Sequence, residues 1–314
     1  MGKTAVLFPG QGSQEPGMGK ALAAYDQKAA DVFAEADRAL ESDFTDLIFH
    51  GDADELKKTV NTQPALLTAG TAIWQVLEQE GIRADYAAGH SLGEYTALTA
   101  AGALSFPQAV RAVRRRGELM EAAVPEGQGT MAAVLGLDRA SLEKVTNQAS
   151  EEAGLVEPAN FNCPGQIVIS GTVPGVERAV ELAKEAGAKK AMVLQVSGPF
   201  HSSLMQPAAE KMRAELDALD VGEPAFPVIA NVDASPVTAA TIRHQLEAQM
   251  AAPVLWEDTI RRLVDEGVTT FIEAGPGKVL SGLVKKVHRR AVTLPVYDEE
   301  TLHKAVTTWK EDQS

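Results

Sequence analysis

Hydrophobic positions along the 314-residue chain come in two rhythms. Short apolar runs bounded by Gly, Pro or Asn alternate with longer stretches at helical spacing, which predicts an α/β fold with a mostly parallel sheet. Thr4 to Phe8 is one such run, ended by Pro9-Gly10. Pro64 to Glu80 has its apolar residues at helical spacing, Asp85 to Ala88 is a short strand arriving at a glycine-flanked turn, and Leu92 to Ala103 is a helix of small residues suited to close packing on a sheet.

The middle of the chain changes pattern. Thr130 to Leu137 reads as a strand, Arg139 to Ala153 as a helix, Leu155 to Phe161 and Gln166 to Gly171 as strands, Gly175 to Ala186 as a helix and Ala191 to Val196 as a strand. That order, βαββαβ, predicts a ferredoxin-like insertion over 128–196. Residues 1–127 and 197–314 then form a large α/β-hydrolase-like domain, with crossing points at Pro125 to Gly129 and Ser197-Gly198-Pro199. Val228 to Asn231 and Thr269 to Glu273 are further strands of the large domain, the second ending in Gly275-Pro276-Gly277.

Composition narrows the function. With 45% hydrophobic and 23% charged residues the chain can bury a substantial core. A net charge of −14 and a pI near 4.9 oppose nucleic-acid binding, which needs a positive field, so an anionic partner must meet a local basic patch. The one cysteine, Cys163, excludes an intramolecular disulfide and a cysteine metal site, and cytoplasm is the expected location. Met1-Gly2-Lys3-Thr4 leads into an apolar stretch too short for a secretion signal, Val6 does not fit myristoylation, and no apolar run is long enough for a membrane span.

The strongest chemical motif is Gly89-His90-Ser91-Leu92-Gly93, a G-x-S-x-G sequence between a predicted strand and a predicted helix. Such a nucleophile elbow puts serine on a tight turn and points the free N–H groups of the next helix at developing negative charge. The Leu92 N–H is one candidate oxyanion donor. The alternative is a strand-to-helix turn whose serine only caps the helix. A serine needs a base, and of six histidines His201, in the loop Gly198 to Ser202, is the candidate. His50, His244, His288 and His303 read as surface, and His90 points away if Ser91 takes the elbow.

Three other features matter. Phe8 to Gln14 hints at dinucleotide binding, but Glu15 stands in place of the third glycine. The other reading puts Gln11 beside the elbow as a second oxyanion donor or a substrate-positioning group. On the helix Pro107 to Met120 the apolar stripe runs through Val110, Val113, Gly117 and Met120; Arg115 lies opposite it, while Arg114 and Arg116 flank it and periodicity does not choose between them. An arginine there suits a substrate carboxylate. Cys163 lies in a predicted hairpin turn and reads as small filler.

The ordered set Gly10 to Gln14, Asn61-Thr62-Gln63-Pro64-Ala65, Gly89 to Glu94, Arg116-Gly117, Asn160 to Gln166, Pro199-Phe200-His201 and Glu273 to Gly277 resembles the malonyl-CoA:acyl carrier protein transacylases of dissociated fatty acid synthesis. It resembles the acyltransferase domains of polyketide synthases more loosely. The resemblance implies transfer of a malonyl group from malonyl-CoA to the phosphopantetheine thiol of an acidic acyl carrier protein, through an ester on Ser91 and with no cofactor. It implies His201 as base, a carbonyl near Gln249 orienting the imidazole, backbone groups of Gln11 and Leu92 as the oxyanion hole, and Arg116 as the carboxylate ligand. Gln63, Asn160, Asn162 and Gln166 would bind substrate. Phe200 would crowd the α-carbon, so that malonyl is preferred over methylmalonyl.

Carrier docking is expected on Lys285-Lys286, with Lys189-Lys190 second. The rival readings are a serine esterase or thioesterase, for which Arg116 has no use, and a noncatalytic carrier-binding scaffold, for which Ser91 and His201 have none.

Overall fold

The computed structural model describes residues 2–313, so Met1 and Ser314, the outermost positions of the expected large domain, lie outside the described residues. The described strands form two sheets. The first comprises β1 (Lys3–Phe8), β2 (Tyr86–Gly89), β7 (Val228–Ile229), β8 (Val268–Ala274) and β9 (Val292–Val296), in the order β7-β2-β1-β8-β9 with parallel pairing throughout. The second comprises β3 (Gly129–Leu135), β4 (Val156–Cys163), β5 (Gln166–Thr172) and β6 (Lys190–Val193), antiparallel and ordered β4-β5-β3-β6.

Helices α1 (Lys20–Tyr25), α2 (Gln27–Leu40), α3 (Phe44–His50), α4 (Ala53–Lys57) and α5 (Thr59–Gln79) separate β1 from β2, and α6 (Gly93–Ala100) and α7 (Phe106–Ala123) follow β2. Within the antiparallel part lie α8 (Arg139–Glu152) and α9 (Val173–Glu185). Helices α10 (Gln206–Asp217), α11 (Ala239–Gln249), α12 (Trp256–Asp265), α13 (Val279–Val287) and α14 (Glu299–Gln313) complete the chain. None is long and apolar enough to cross a membrane among the described residues.

The near-continuous apolar run of β1 follows from its central place. Val6 and Phe8 enter a core shared with α2, α5, α6 and α7, while Ala5 and Leu7 enter one shared with α12 and α13 on the opposite face. The antiparallel sheet packs one face on α8 and α9, and turns Met131, Ala159 and Val168 of the other toward the main core. Its edge strand β4 is also tied to the segment before α12: Phe161 N–H donates to Val254 O at 2.9 Å and Val254 N–H to Ala159 O at 2.9 Å. A cleft lies between the antiparallel sheet and the loops that follow β1 and β2.

Several expected boundaries shift. The strand predicted over Ala191 to Val196 stops at Val193, and Leu194 and Val196 line the cleft instead. Cys163 is the last residue of β4, fully buried, rather than part of the hairpin turn. Strand β9 escaped the sequence reading because Pro295 interrupts its pattern, which an edge strand tolerates.

The site sits beyond the carboxyl ends of β1, β2 and β8, where open parallel sheets place their ligands. Phe8 and Gly89 are register partners, so the loops after β1 and β2 begin side by side. Helix α6 can start there because Gly93 lies against β1: a Cβ at Gly93 would meet Phe8 O at 2.1 Å and Pro9 O at 3.1 Å. Backbone cannot yield as a side chain can. Gly93→Ala is therefore expected to cost about 3 kcal/mol in urea unfolding, the upper part of the overpacking range; a loss below about 1 kcal/mol would show that α6 shifts freely.

Candidate active site

Ser91 lies two residues beyond the end of β2, with φ 52°, in the left-handed region that disfavours a side-chain-bearing residue. Asn231, just after β7, holds this turn from both sides: its Oδ1 accepts from Ser91 N–H at 2.7 Å and its Nδ2 donates to Gly89 O at 2.7 Å. The turn aims Ser91 Oγ at His201 Nε2, 2.7 Å away. His201 also has a left-handed backbone, with φ 59°.

The tautomer of His201 follows from its other contact. Nδ1 lies 2.8 Å from Gln249 O, and a carbonyl only accepts, so Nδ1 carries the proton and Nε2 is left to accept the Ser91 hydroxyl proton. Burial, and then the positive charge of Arg116, push His201 down to about 3, so the imidazole is neutral over the ordinary pH range. The orienting group is thus a backbone carbonyl at the end of α11, in the place where a triad has a carboxylate.

Helix α7 settles what its periodicity left open. Arg115 is surface-exposed and paired with Glu118, Arg114 is half-buried against Asn61 and Phe44, and Arg116 is 1% exposed. Arg116 Nη1 donates to Gln63 Oε1 at 2.8 Å, and Nη2 to Gln249 Oε1 at 2.8 Å and to Ser91 Oγ at 3.2 Å. Its Nε has no partner among the described residues. No carboxylate pairs with it within the 4.0 Å of an ion pair among the described residues. A buried cation satisfied only by neutral oxygens is a ready place for an incoming anion.

These groups open into a cleft of about 270 Å³ whose walls include Met120 of α7, Met131 of β3, Val168 of β5, and Leu194, Val196 and Phe200 from the chain between β6 and α10. Gln11 and Leu92 also line it, and no hydrogen bond engages the backbone N–H of either among the described residues. The Gln11 side chain turns aside, donating to Thr59 Oγ1 at 3.1 Å. Asn160, Asn162 and Gln166 reach the cleft from β4 and β5; Asn162 Oδ1 lies 2.9 Å from His90 Nε2, so His90 braces β4 against the elbow loop instead of contacting Ser91 Oγ.

The basic residues divide. Lys286 Nζ donates to Gln166 Oε1 at 2.8 Å at the cleft rim, whereas the Lys285 ammonium donates to Ala291 O in the loop after its helix, and Lys190 lies on the exposed start of β6. Asn231 and Glu94 are the functional positions that residue-level reasoning missed. Glu94 stands inside the quoted motif, but nothing in its spacing marks it as buried; Asn231 ends an apolar run and carries no motif. Among the described residues no His, Cys, Asp or Glu cluster suited to a metal ion is present.

Residues 6–314 match the family described as "Acyl transferase domain". The chain is 57% identical over 313 residues to the malonyl CoA-acyl carrier protein transacylase of Bacillus subtilis, covering 99% of each chain. It is 48% identical to that of Salmonella typhimurium, over 91% of this chain and 93% of the other. Among solved structures, the Coxiella burnetii transacylase superposes with TM-score 0.95 at 41% identity, covering 98% of this chain and 97% of that one. A malonyl-transacylase solved in complex with a type II polyketide acyl-carrier protein superposes with TM-score 0.95 at 44% identity, covering 98% and 99%. With a match of this extent joined to a serine, a histidine and an unpaired buried arginine in one cleft, the chain belongs to the acyl transferase family, among its malonyl CoA-acyl carrier protein transacylases.

Proposed function

We propose that this protein transfers a malonyl group from malonyl-CoA to the phosphopantetheine thiol of an acyl carrier protein, through an ester on Ser91. The observation that carries the reading is Arg116: a buried guanidinium with no carboxylate partner among the described residues, 3.2 Å from Ser91 Oγ, suits an acyl group that bears its own carboxylate. A hydrolase of neutral esters has no use for it.

In the proposed cycle Ser91 Oγ attacks the thioester carbon while its proton passes to His201 Nε2. The oxyanion meets the N–H groups of Gln11 and Leu92. The C–S bond then breaks, and the departing sulfur takes the proton back from the imidazolium, leaving free CoA and malonyl-Ser91. The carrier thiol repeats these steps in reverse: it yields its proton to His201, attacks the ester, and Ser91 recovers its hydroxyl. Gln249 O stabilises the transient imidazolium by accepting from Nδ1. Phe200, 6% exposed, narrows the space at the acyl α-carbon. Gln63 holds the guanidinium, and Asn160, Asn162 and Gln166 line the pantetheine side.

In this reading residues 128–196 form the inserted subdomain and 1–127 with 197–314 the body, and the enzyme works in the cytoplasm. Of the basic residues, Lys286 is the docking group at the cleft mouth for an acidic carrier, with Lys190 and Lys285 behind it.

Three outcomes test the reading. Intact-mass analysis after mixing with malonyl-CoA shows one malonyl adduct, and Ser91→Ala abolishes it; an adduct that persists in the variant refutes the serine ester. Arg116→Ala lowers kcat/KM for malonyl-CoA about a hundredfold, as expected for truncating one side of a buried charge contact, and acetyl-CoA by less than about fivefold. Equal losses would remove Arg116 from acyl selection. Lys286→Glu slows transfer from the malonyl-enzyme to carrier about tenfold at low salt, and the deficit shrinks as salt screens it; an unchanged salt profile would rule Lys286 out.

A further inference from the structure

Glu94 opens α6 three residues after the nucleophile and is 1% exposed, yet the proposed cycle does not use it. Its Oε2 accepts from Gln249 Nε2 at 2.7 Å and from Asn231 N–H at 3.1 Å, while Oε1 has no partner among the described residues. Burial raises it to about 7, against the lowering effects of those two donors and of Arg116. A carboxylate kept at that cost, next to a reacting group, calls for a role.

Both of its partners lead to the reacting groups. Gln249 Oε1 accepts from Arg116, and Gln249 Nε2 also donates to Ser91 O at 3.0 Å. Asn231 is the residue whose amide spans Ser91 N–H and Gly89 O. The chemistry of a primary amide then fixes the sense of the relay. Guanidinium only donates, and Glu94 Oε2, facing two N–H donors, accepts, so Gln249 between them satisfies both in a single orientation, oxygen toward Arg116 and nitrogen toward Glu94. Whether ionised or protonated, Glu94 stays one amide away from Arg116; paired directly, its carboxylate would occupy the place that an acyl carboxylate needs.

We infer that Glu94 is a positioning residue for acyl-group selection, orienting the Gln249 side chain so that Arg116 is held beside Ser91 without being neutralised. This inference rests on the malonyl reading of Arg116. It requires an acceptor at position 94, and it places the effect on carboxylate-bearing acyl groups rather than on acylation in general. The Asn231 N–H is fixed by the backbone, so a glutamine at 94 would keep its oxygen facing both donors and preserve the relay.

The test compares single-turnover acylation by malonyl-CoA and acetyl-CoA in wild type, Glu94→Leu and Glu94→Gln. Leucine fills similar space and removes a costly buried charge, so the fold is expected to survive. The expected result is a fall of about thirtyfold in kcat/KM for malonyl-CoA with leucine, mainly in KM, and of less than about threefold for acetyl-CoA, the size of one misdirected hydrogen bond to a charged group. Glutamine brings the malonyl-to-acetyl ratio back to within about threefold of wild type. A folded leucine variant with the wild-type ratio, or a glutamine variant as unselective as the leucine one, overturns the inference. Should the leucine variant not fold, Gln249→Leu, which keeps the backbone carbonyl on His201, must produce the same fall in ratio, and an unchanged ratio overturns the inference equally. A wild-type enzyme without preference for malonyl-CoA defeats the malonyl reading itself; a wild-type preference that the variants leave intact defeats only this inference.

Discussion

The site depends on keeping one guanidinium charged and buried beside a serine, with neutral oxygens for partners. Taking Arg116 out of water costs several kcal/mol, and a carboxylate neighbour would repay that cost while cancelling the charge. The fold instead meets it with dipoles: the side-chain oxygens of Gln63 from α5 and Gln249 from α11, and the face of the Tyr95 ring 5.7 Å away. Three helices converge on this one group, and the same convergence brings Gln249 O to His201.

The charge also sets the state of the base. Burial and the field of Arg116 both hold His201 neutral, so Nε2 is free to accept in the resting site. In the proposed cycle an anionic acyl group held by Arg116 would offset part of that field and make protonation of the imidazole during attack easier. On that proposal, arrival of the acyl group and activation of the base would be coupled through one electrostatic interaction.

Legibility in the sequence followed the range of the interactions involved. Strand β1 was readable because a central parallel strand is apolar on both faces, and the elbow was readable because Gly89 and Gly93 flank a serine between a strand and a helix. The βαββαβ order of the middle segment could be read from local alternation alone. Arg116 could not be separated from Arg114 by helical period, since both flank the apolar stripe and the difference is made by Gln63 and Gln249, the latter 133 positions away. Asn231 and the Gln249 carbonyl act across comparable separations, and a backbone carbonyl has no residue type to recognise. Only the family resemblance pointed toward Gln249.

The cleft draws its reacting groups from loops and helices of the parallel-sheet body, but much of its apolar wall, Met131, Val168, Leu194 and Val196, from the antiparallel sheet and the chain leaving it. In the proposed cycle, bond-making and part of the fit to the acyl group are therefore encoded in separate stretches of sequence. Such a division lets the wall drift in size and polarity over evolutionary time while the reacting atoms stay put, and it marks the middle segment as the natural unit to exchange when grafting a new acyl preference onto an unchanged nucleophile.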